Sequence, residues 1–436
     1  MMGVVLSMLL FFLLYTGVGV FVARWISDLD HTRRAGVVQR IVQGFLLGAG
    51  VTTYAEFLLS VIGIPFRFTL LALAVFAAVG WKRFISRLSK EAVPPTTSMM
   101  LFWVPVAGML ALLFTRSLSR VMYTYDAVAF WIPKMFALFH DQRVIVSGLI
   151  KFNHREYPLL LPMVSANVFT LLGKPDEVAA KAVIFLFTVA IVVLVGIFLL
   201  SKYSVPKALF WMGLMMTVFV FREHTGGEYV GTADIFVGIY LAAGSIALLQ
   251  KRPATALAFW LLSAWCKSEG LVFVLATSIL LFFFYRRLRP YIAGMVGFFL
   301  APWQLLMRVN HVDTSQYFKF GELYARPWVE YAIYSVHAFR EEFRNLEKWN
   351  LTFFFFLSAV LTHIRKILED RPLFTIVTAL TAQLGMYMVI FTVTPEEQAT
   401  FISAAVSRLT LHLAISAMVV AATLLAPEPQ EYDEHK

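Results

Sequence analysis

Long apolar runs separated by short polar connections make up most of this chain. The runs recur thirteen times, and several approach the length of about 20 residues at which a helix crosses a bilayer. This pattern predicts an all-α integral membrane protein, a bundle of about 13 transmembrane helices with a helical outer loop after the fourth span. The predicted spans are residues 4–23, 41–63, 68–81, 99–114, 180–200, 208–221, 235–249, 255–265, 271–285, 291–307, 351–361, 373–393 and 409–425.

Composition agrees with this pattern. Hydrophobic residues make up 59% of the 436 residues and charged residues 15%, whereas about 25% of a soluble domain is charged. The only cysteine, Cys266, excludes a disulfide framework and a cysteine-based metal site. The sequence has no GxGxxG, Walker A or HExxH motif, so we expect no nucleotide-driven chemistry.

The net charge of +10 is spread over short basic clusters between the apolar runs, which is typical of topology signals rather than of nucleic-acid binding. The clusters follow the odd-numbered spans, from the first to the eleventh. Because positively charged loops stay in the cytoplasm, the N-terminus is predicted to lie outside and the tail, residues 427–436, inside. We therefore expect a multi-pass protein, most naturally of a bacterial inner membrane, whose unusual polar residues share the outer side.

Three regions follow from this map. Residues 1–97 form three N-terminal transmembrane helices to which the sequence assigns no role. Residues 98–426 form one transmembrane module that includes the outer loop 115–179, and residues 427–436 form the cytoplasmic tail. The outer loop concentrates carboxylates, histidines, aromatic residues and prolines, so it is the first place to look for a site.

Asp126 lies just after the fourth span, among aromatic residues. A carboxylate with apolar neighbours near the membrane surface suits a general base. The alternative is an interfacial aspartate that caps a short helix. Lys134 lies eight residues later, where a helix would bring it towards the same face, so it could pair with Asp126 or receive a phosphate; a snorkelling lysine is the alternative.

The same loop continues with the sequence His154-Arg155-Glu156-Tyr157-Pro158. His154 and Glu156 could bind a metal or orient a hydroxyl group, although a His-x-Glu pair is a weak metal signal. Arg155 is interpreted as a surface residue. The apolar segment 159–172 is too short to span comfortably and is predicted to lie in, or dip into, the membrane interface.

These motifs resemble a known family. Tyr-Asp-Ala-x-x-x-Trp-x-x-Lys from Tyr125 to Lys134, followed by His-x-Glu-Tyr-Pro from His154, is similar to the first outer loop of GT-C superfamily glycosyltransferases that use polyprenyl-phosphate sugars, among them protein O-mannosyltransferase-like enzymes. The resemblance covers roughly residues 99–425. It continues in the motifs Gly231-Thr-Ala-Asp234, Trp265-Cys-Lys-Ser-Glu-Gly270, Thr394-Pro395 and Ser407-Arg408.

The resemblance implies a sugar donor on a polyprenyl phosphate, reached from the bilayer, and an acceptor hydroxyl on a glycan, lipid or protein at the outer side. Asp126 would then be the base, and Lys267 and Arg408, with Lys134, would neutralise the donor phosphate. The implied substrate-binding residues are His154, Glu156, Tyr157, Asp234 and Glu269. Lys267 and Arg408 could instead be isolated outer charges, and Asp234 could serve only as a helix cap.

Two features depart from the family pattern. Asp126 has no adjacent acid, and three spans precede the loop that carries it. Mg²⁺ or another divalent cation is compatible with such a site, but the sequence does not require one. A transporter, flippase or ligase for lipid-linked saccharides is the alternative function. Transporters usually place polar groups near the middle of their spans, whereas here the sequence predicts them at span ends.

Overall fold

The chain folds into helices that are joined by short connections. The computed structural model describes residues 2–26, 36–88, 97–145, 152, 154–312, 327–394 and 397–426, and these residues contain helices and no strand. The predicted tail, 427–436, lies outside them. The helices are α1 Met2–Ala23, α2 Val37–Val61, α3 Phe66–Leu88, α4 Thr97–Ser119, α5 Ile132–Asp141, α6 Leu160–Leu172, α7 Glu177–Leu200, α8 Val205–Thr217, α9 Phe219–Gly226, α10 Asp234–Leu249, α11 Pro253–Cys266, α12 Gly270–Phe284, α13 Arg289–Val309, α14 Trp328–Arg344, α15 Leu346–Trp349, α16 Thr352–Thr362, α17 Ile364–Glu369, α18 Arg371–Val393 and α19 Gln398–Leu424.

Every predicted span coincides with a helix, or in one case with a bent pair of helices. Among the described residues, eight helices are long and apolar enough to cross a membrane. The pair α8 and α9 reaches that length only as one span bent by 67°. The other four, α10, α11, α12 and α16, have 11 to 16 residues. The protein is therefore an all-helical, multi-pass membrane protein, and thirteen crossings stay a prediction.

The three N-terminal helices pack closely because glycines line their interface. A Cβ atom added to Gly48 of α2 would lie 1.7 Å from the carbonyl oxygen of Tyr15 on α1, and one added to Gly80 of α3 would lie 2.1 Å from that of Gly17. Helices in lipid associate through such close backbone approach, since apolar side chains gain little by leaving the lipid tails. Helices α1, α2 and α3 thus form a tightly packed unit, whose helix α2 also contacts α7.

One sequence-based expectation is wrong. The last helix begins at Gln398 and not at residue 409, so Arg408 lies inside α19 and not in a loop ahead of it. Hydropathy reports how apolar a segment is, whereas neighbouring helices decide how far a polar helix extends. The apolar segment 159–172 contains the short helix α6, whose residues 160–169 are all buried against protein. Its position in the membrane interface stays a prediction.

Two helices, α12 and α18, connect the opposite ends of the bundle. α12 has 15 residues; it begins at Gly270, close to Lys267, and ends at Phe284, beside the basic turn Arg286–Leu288. A helix of that length spans about 22 Å. α18 begins at Arg371, near this basic turn, and reaches Tyr387 sixteen residues later. One end of the bundle therefore holds basic residues, and the other holds the polar residues described next.

Candidate functional site

Residues from six separate parts of the sequence line one pocket at the polar end of the bundle. The pocket contains about 910 Å³ of space free of protein atoms, including its mouth. Eight of the nine residues singled out from the sequence line it, and only Lys134 does not. The lining residues are Asp126, Phe130, His154, Glu156, Tyr157, Asp234, Lys267, Ser268, Glu269, Val272, Gln383, Met386, Tyr387, Ile390, Phe401, Ala405, Arg408 and Leu409.

Asp126 is placed by an irregular helical turn. The residues that follow it, Ala127–Trp131, form a π-helical turn in which the N–H of Ile132 donates to the carbonyl of Ala127, five residues back. Pro133 has no N–H to continue the usual ladder, which favours such a local widening. Ala127, Phe130 and Trp131 of this turn are buried, and the Asp126 side chain, with 17% of its surface exposed, lies at the pocket wall.

Arg408 is the partner of Asp126. One guanidinium nitrogen, Nη1, contacts the Oδ2 atom of Asp126, and Nε donates to the carbonyl of Ala404 one turn earlier in α19. The sequence did not predict this pair, because it placed Arg408 in a loop and considered Lys134 as the partner of the aspartate. A carboxylate and a guanidinium 282 residues apart in the chain thus meet at the pocket.

Lys267 lies between two carboxylates. Its Nζ is 2.8 Å from Oδ1 of Asp234 and 3.0 Å from Oε1 of Glu269. Within a regular helix, two residues at this spacing would face different sides. Residues 267–269 instead lie in the break between α11 and α12, so both Lys267 and Glu269 can face the pocket. Burial by itself lowers the pKa of Lys267, but the two carboxylates outweigh it and raise that pKa above its ordinary value. Lys267 is therefore a permanent, doubly paired cation.

The helix-cap interpretation of Asp234 does not hold. Ala233 is the N-cap residue of α10, and the Asp234 side chain accepts no capping hydrogen bond. Oδ1 of Asp234 instead contacts Lys267 and, at 3.3 Å, Nε2 of His412. Asp234 is fully buried, and these partners offset the free energy that is lost when a carboxylate is removed from water.

His412 and Tyr387 belong to this network and were not predicted from the sequence. The Tyr387 hydroxyl lies 2.6 Å from Nδ1 of His412. Since the Asp234 carboxylate can only accept, Nε2 of His412 donates to it, and the Tyr387 hydroxyl is the hydrogen-bond partner of Nδ1. Both residues are buried inside apolar helices. A single histidine or tyrosine within an apolar helix forms no sequence motif. Only the contacts in the folded structure therefore identify these two residues as members of the network.

The loop His154–Tyr157 forms another wall of the pocket. The Tyr157 hydroxyl donates to Oε1 of Glu269 at 3.0 Å, and its ring stacks on the ring of His154 with centroids 4.8 Å apart. His154 Nδ1 lies 3.4 Å from Oε1 of Glu156. The backbone carbonyl of Glu156 accepts a hydrogen bond of 3.0 Å from Nε1 of Trp303 on α13. Arg155 is exposed, in agreement with its interpretation as a surface residue.

Lys134 lies behind this wall rather than on it. The side chain is fully buried, and its Nζ donates to the backbone carbonyl of His154 at 2.5 Å. The rings of Trp131 and Tyr157 have their centroids 5.5 and 5.9 Å from Nζ. Burial lowers the pKa of Lys134 to about 7, against an opposing effect of the Glu156 carboxylate. This position does not favour the phosphate-binding role suggested for Lys134 by the sequence; it holds the loop.

The described residues also bear on metal binding. Among them, no group of three or more histidine, cysteine, aspartate or glutamate side chains is arranged to hold a metal ion. Two carboxylates of the pocket, Asp234 and Glu269, both contact the ammonium group of Lys267, which takes the place that a metal cation would take. Within the part of the chain that the structure describes, the side chains therefore do not assemble a metal ligand set.

The pocket lining combines charged and apolar side chains. Asp126, Arg408, Lys267 and Glu269 supply charged groups, and apolar side chains come from Met386, Ile390, Phe401, Ala405 and Leu409. Such a lining can bind an amphiphilic ligand, with its charged group at Arg408 and its chain against the apolar side chains. It also offers an acid–base group, Asp126, beside a guanidinium.

Comparisons of the chain with protein-family models, with curated proteins and with solved structures find no match.

Proposed function

We propose that this protein is an integral membrane glycosyltransferase that moves a sugar from a polyprenyl-phosphate-type donor to an acceptor hydroxyl, with Asp126 as the base. The observation that carries the proposal is the convergence of Asp126, Arg408 and the Lys267 cluster on one pocket with an apolar side. Glycosyl transfer from a lipid phosphate requires these parts together: a base, a cation at the leaving phosphate and an apolar surface for the carrier chain.

Of the two cations in the pocket, Arg408 suits the phosphate better. Among the described residues, Lys267 has two carboxylate partners and Arg408 has one. A guanidinium can also bind phosphate oxygens in bidentate geometry. Binding of a donor phosphate at Arg408 competes with the Asp126 carboxylate for the same nitrogen atom. When the phosphate replaces the carboxylate at Arg408, Asp126 is free to accept the proton of the acceptor hydroxyl. Donor binding therefore activates the base.

In the proposed reaction, the acceptor oxygen attacks the anomeric carbon of the sugar, and the proton of the acceptor hydroxyl moves to a carboxylate oxygen of Asp126. The bond between the anomeric carbon and the phosphate oxygen breaks, and its electron pair leaves with the polyprenyl phosphate. Arg408 stabilises the negative charge of this leaving group. Lys267, fixed by Asp234 and Glu269, adds a constant positive charge nearby.

The test uses purified protein in proteoliposomes with a panel of radiolabelled polyprenyl-phosphate hexoses and an extract of envelope glycans, lipids and proteins as acceptors. We expect Asp126→Asn to reduce transfer by about 10²- to 10⁴-fold, the usual loss on removing a general base. Asp141→Asn, in the same loop but outside the pocket, serves as the matched control and should transfer at the rate of the unchanged protein. Undiminished transfer by Asp126→Asn excludes its role as base.

The phosphate assignment has a test that needs no knowledge of the sugar. Polyprenyl phosphate itself, the common leaving group, is titrated against the protein in detergent. Arg408→Ala should bind it about tenfold to a hundredfold more weakly, since a hydrogen bond to a charged group contributes on the order of 1.5–3 kcal/mol. Arg340→Ala, at an exposed position on α14, is the control. Equal affinity of the two variants contradicts the assignment.

A transporter or flippase for lipid-linked saccharides is the second candidate, and one observation favours it. Gln383, Tyr387 and His412 lie inside α18 and α19 rather than at their ends, and polar groups within spans are typical of transport pathways. The same proteoliposomes separate the two functions. A transporter moves the labelled donor across the bilayer with its sugar still attached, whereas the proposed enzyme releases polyprenyl phosphate.

A further inference from the structure

Three arginines from two elements border a second cleft, at the end of the bundle opposite to the pocket. Arg286 and Arg287 belong to the short 3₁₀ turn between α12 and α13, and Arg371 is the first residue of α18. The cleft contains about 890 Å³ of space free of protein atoms, including its mouth. Arginines up to 85 positions apart in the sequence thus line the same cleft.

Within the described parts of the chain, none of these three arginines forms an ion pair. The neighbouring carboxylate, Asp370, is used locally: its Oδ1 accepts the N–H of Leu373 at 2.9 Å and caps α18. Lys202 lies near enough to Asp370 and Lys366 for its charge to interact with both. The guanidinium carbon of Arg371 lies 6.0 Å from the centroid of the Phe284 ring, a contact that leaves its positive charge uncompensated. Among the described residues, the positive charge around the cleft therefore exceeds the negative charge, and the three guanidinium groups have no carboxylate partner.

The cleft borders an apolar surface. Phe283 and Phe284 line it together with Tyr285, and Phe283 is 65% exposed. In a membrane protein, exposed phenylalanines at a helix end face lipid acyl chains. Arginines beside them lie at the depth of the headgroups. An anion that carries its own acyl chains fits this combination better than a free anion, because it satisfies both surfaces at once.

We propose that this cleft binds the phosphate of an anionic phospholipid headgroup, with the acyl chains against Phe283. The three arginines supply charge-assisted hydrogen bonds to the phosphate, and basic pockets between membrane helices are suited to such headgroups. Basic residues scattered on the same face can also serve only to orient the bundle. Convergence of three of them on one cleft is what distinguishes a binding site from that general role.

The test measures retained lipid. Protein purified from nanodiscs of equal parts phosphatidylglycerol and phosphatidylcholine is examined by native mass spectrometry, and dioctanoyl phosphatidylglycerol is then titrated back. We expect one tightly held phosphatidylglycerol in the unchanged protein. In R286Q/R287Q/R371Q its affinity should fall about a hundredfold, since each of the three basic residues near an anionic surface changes binding about fivefold.

Two control variants and two control ligands, phosphatidylcholine and inorganic phosphate, test whether the binding is specific to this cleft and to the anionic lipid. R286K/R287K/R371K keeps the charge and should retain most of the binding, which also shows that the cleft tolerates substitution. K82Q/R83Q/K251Q removes three exposed cations from other parts of the predicted cytoplasmic face and should bind as the unchanged protein does. Equal losses in both glutamine triples, or equal retention of phosphatidylcholine, overturn the proposal. Displacement of the lipid by millimolar inorganic phosphate would also overturn it, since the site would then be one for free phosphate.

Discussion

At the scale of single residues, Lys134 shows how burial changes the chemistry of a side chain. In solution a lysine is charged up to about pH 10. Here the ammonium group is surrounded by Trp131, Tyr157 and the carbonyl of His154, and burial lowers its pKa to about 7. Near neutral pH this lysine therefore changes from charged to neutral while it holds the loop that carries His154 and Glu156.

This pKa predicts a pH-dependent stability. Between about pH 7 and 10.5 the unfolded chain keeps the Lys134 proton that the folded protein has lost, so the free energy of unfolding rises with pH in that window. The slope is at most on the order of 1 kcal/mol per pH unit. Lys134→Met should lose this slope, measured by chemical unfolding in detergent from pH 6.5 to 10. Lys174→Met, at an exposed position, should keep it; identical slopes in all three proteins contradict the prediction.

At the scale of elements, glycines decide how closely the N-terminal helices pack. The backbone of α2 at Gly48 touches that of α1 at Tyr15, where even a methyl group does not fit. Because these contacts are between backbone atoms, a larger residue cannot be accommodated by rotating a side chain. The helices must move apart, with loss of packing along their whole length.

Gly48→Ala should therefore lower the free energy of unfolding by about 1–3 kcal/mol, the usual effect of overpacking a core. Gly213→Ala on α8 is the matched control, since a Cβ atom there meets nothing within 4 Å. It should raise the stability slightly, because alanine is the better helix former. The measurement is the unfolding midpoint of each variant in the same detergent. A lower midpoint for Gly213→Ala than for Gly48→Ala is incompatible with this view of the interface.

At the scale of the whole molecule, charge separates the two ends of the bundle. The basic residues that follow predicted spans nine and eleven, Arg286, Arg287 and Arg371, meet at one cleft. The residues predicted for the outer side, Asp126, Asp234 and Arg408 among them, meet at the pocket about 20 Å away along α12. From this separation, the positive-inside rule predicts that the pocket faces outward.

Membrane-impermeant maleimide labelling tests that orientation. The native Cys266 is fully buried and gives little background. In intact cells, Arg155→Cys beside the pocket should react, whereas Arg287→Cys should react only after permeabilisation. The reverse pattern places the pocket in the cytoplasm and contradicts the outward orientation. Reaction of both from outside contradicts the spanning geometry of α12 and α18.

The sequence by itself determined the helical membrane character, the approximate positions of the apolar helices and the charged residues that line the pocket. These depend on composition, on apolar runs and on the rarity of charge in an apolar chain, and all three are local properties that can be read along the chain. Asp126 became a candidate through its aromatic neighbours, and Lys267 and Arg408 through the short motifs that resemble those of a known family.

Only the tertiary structure decided which of these residues are partners. Arg408 with Asp126, and His412 and Tyr387 with Asp234, join helices that are far apart in the chain. The structure also placed Lys134 behind the pocket wall and buried α6, because the surroundings of a side chain depend on every element packed against it. Pairing of charges and burial are properties of the folded bundle, so no local pattern contains them.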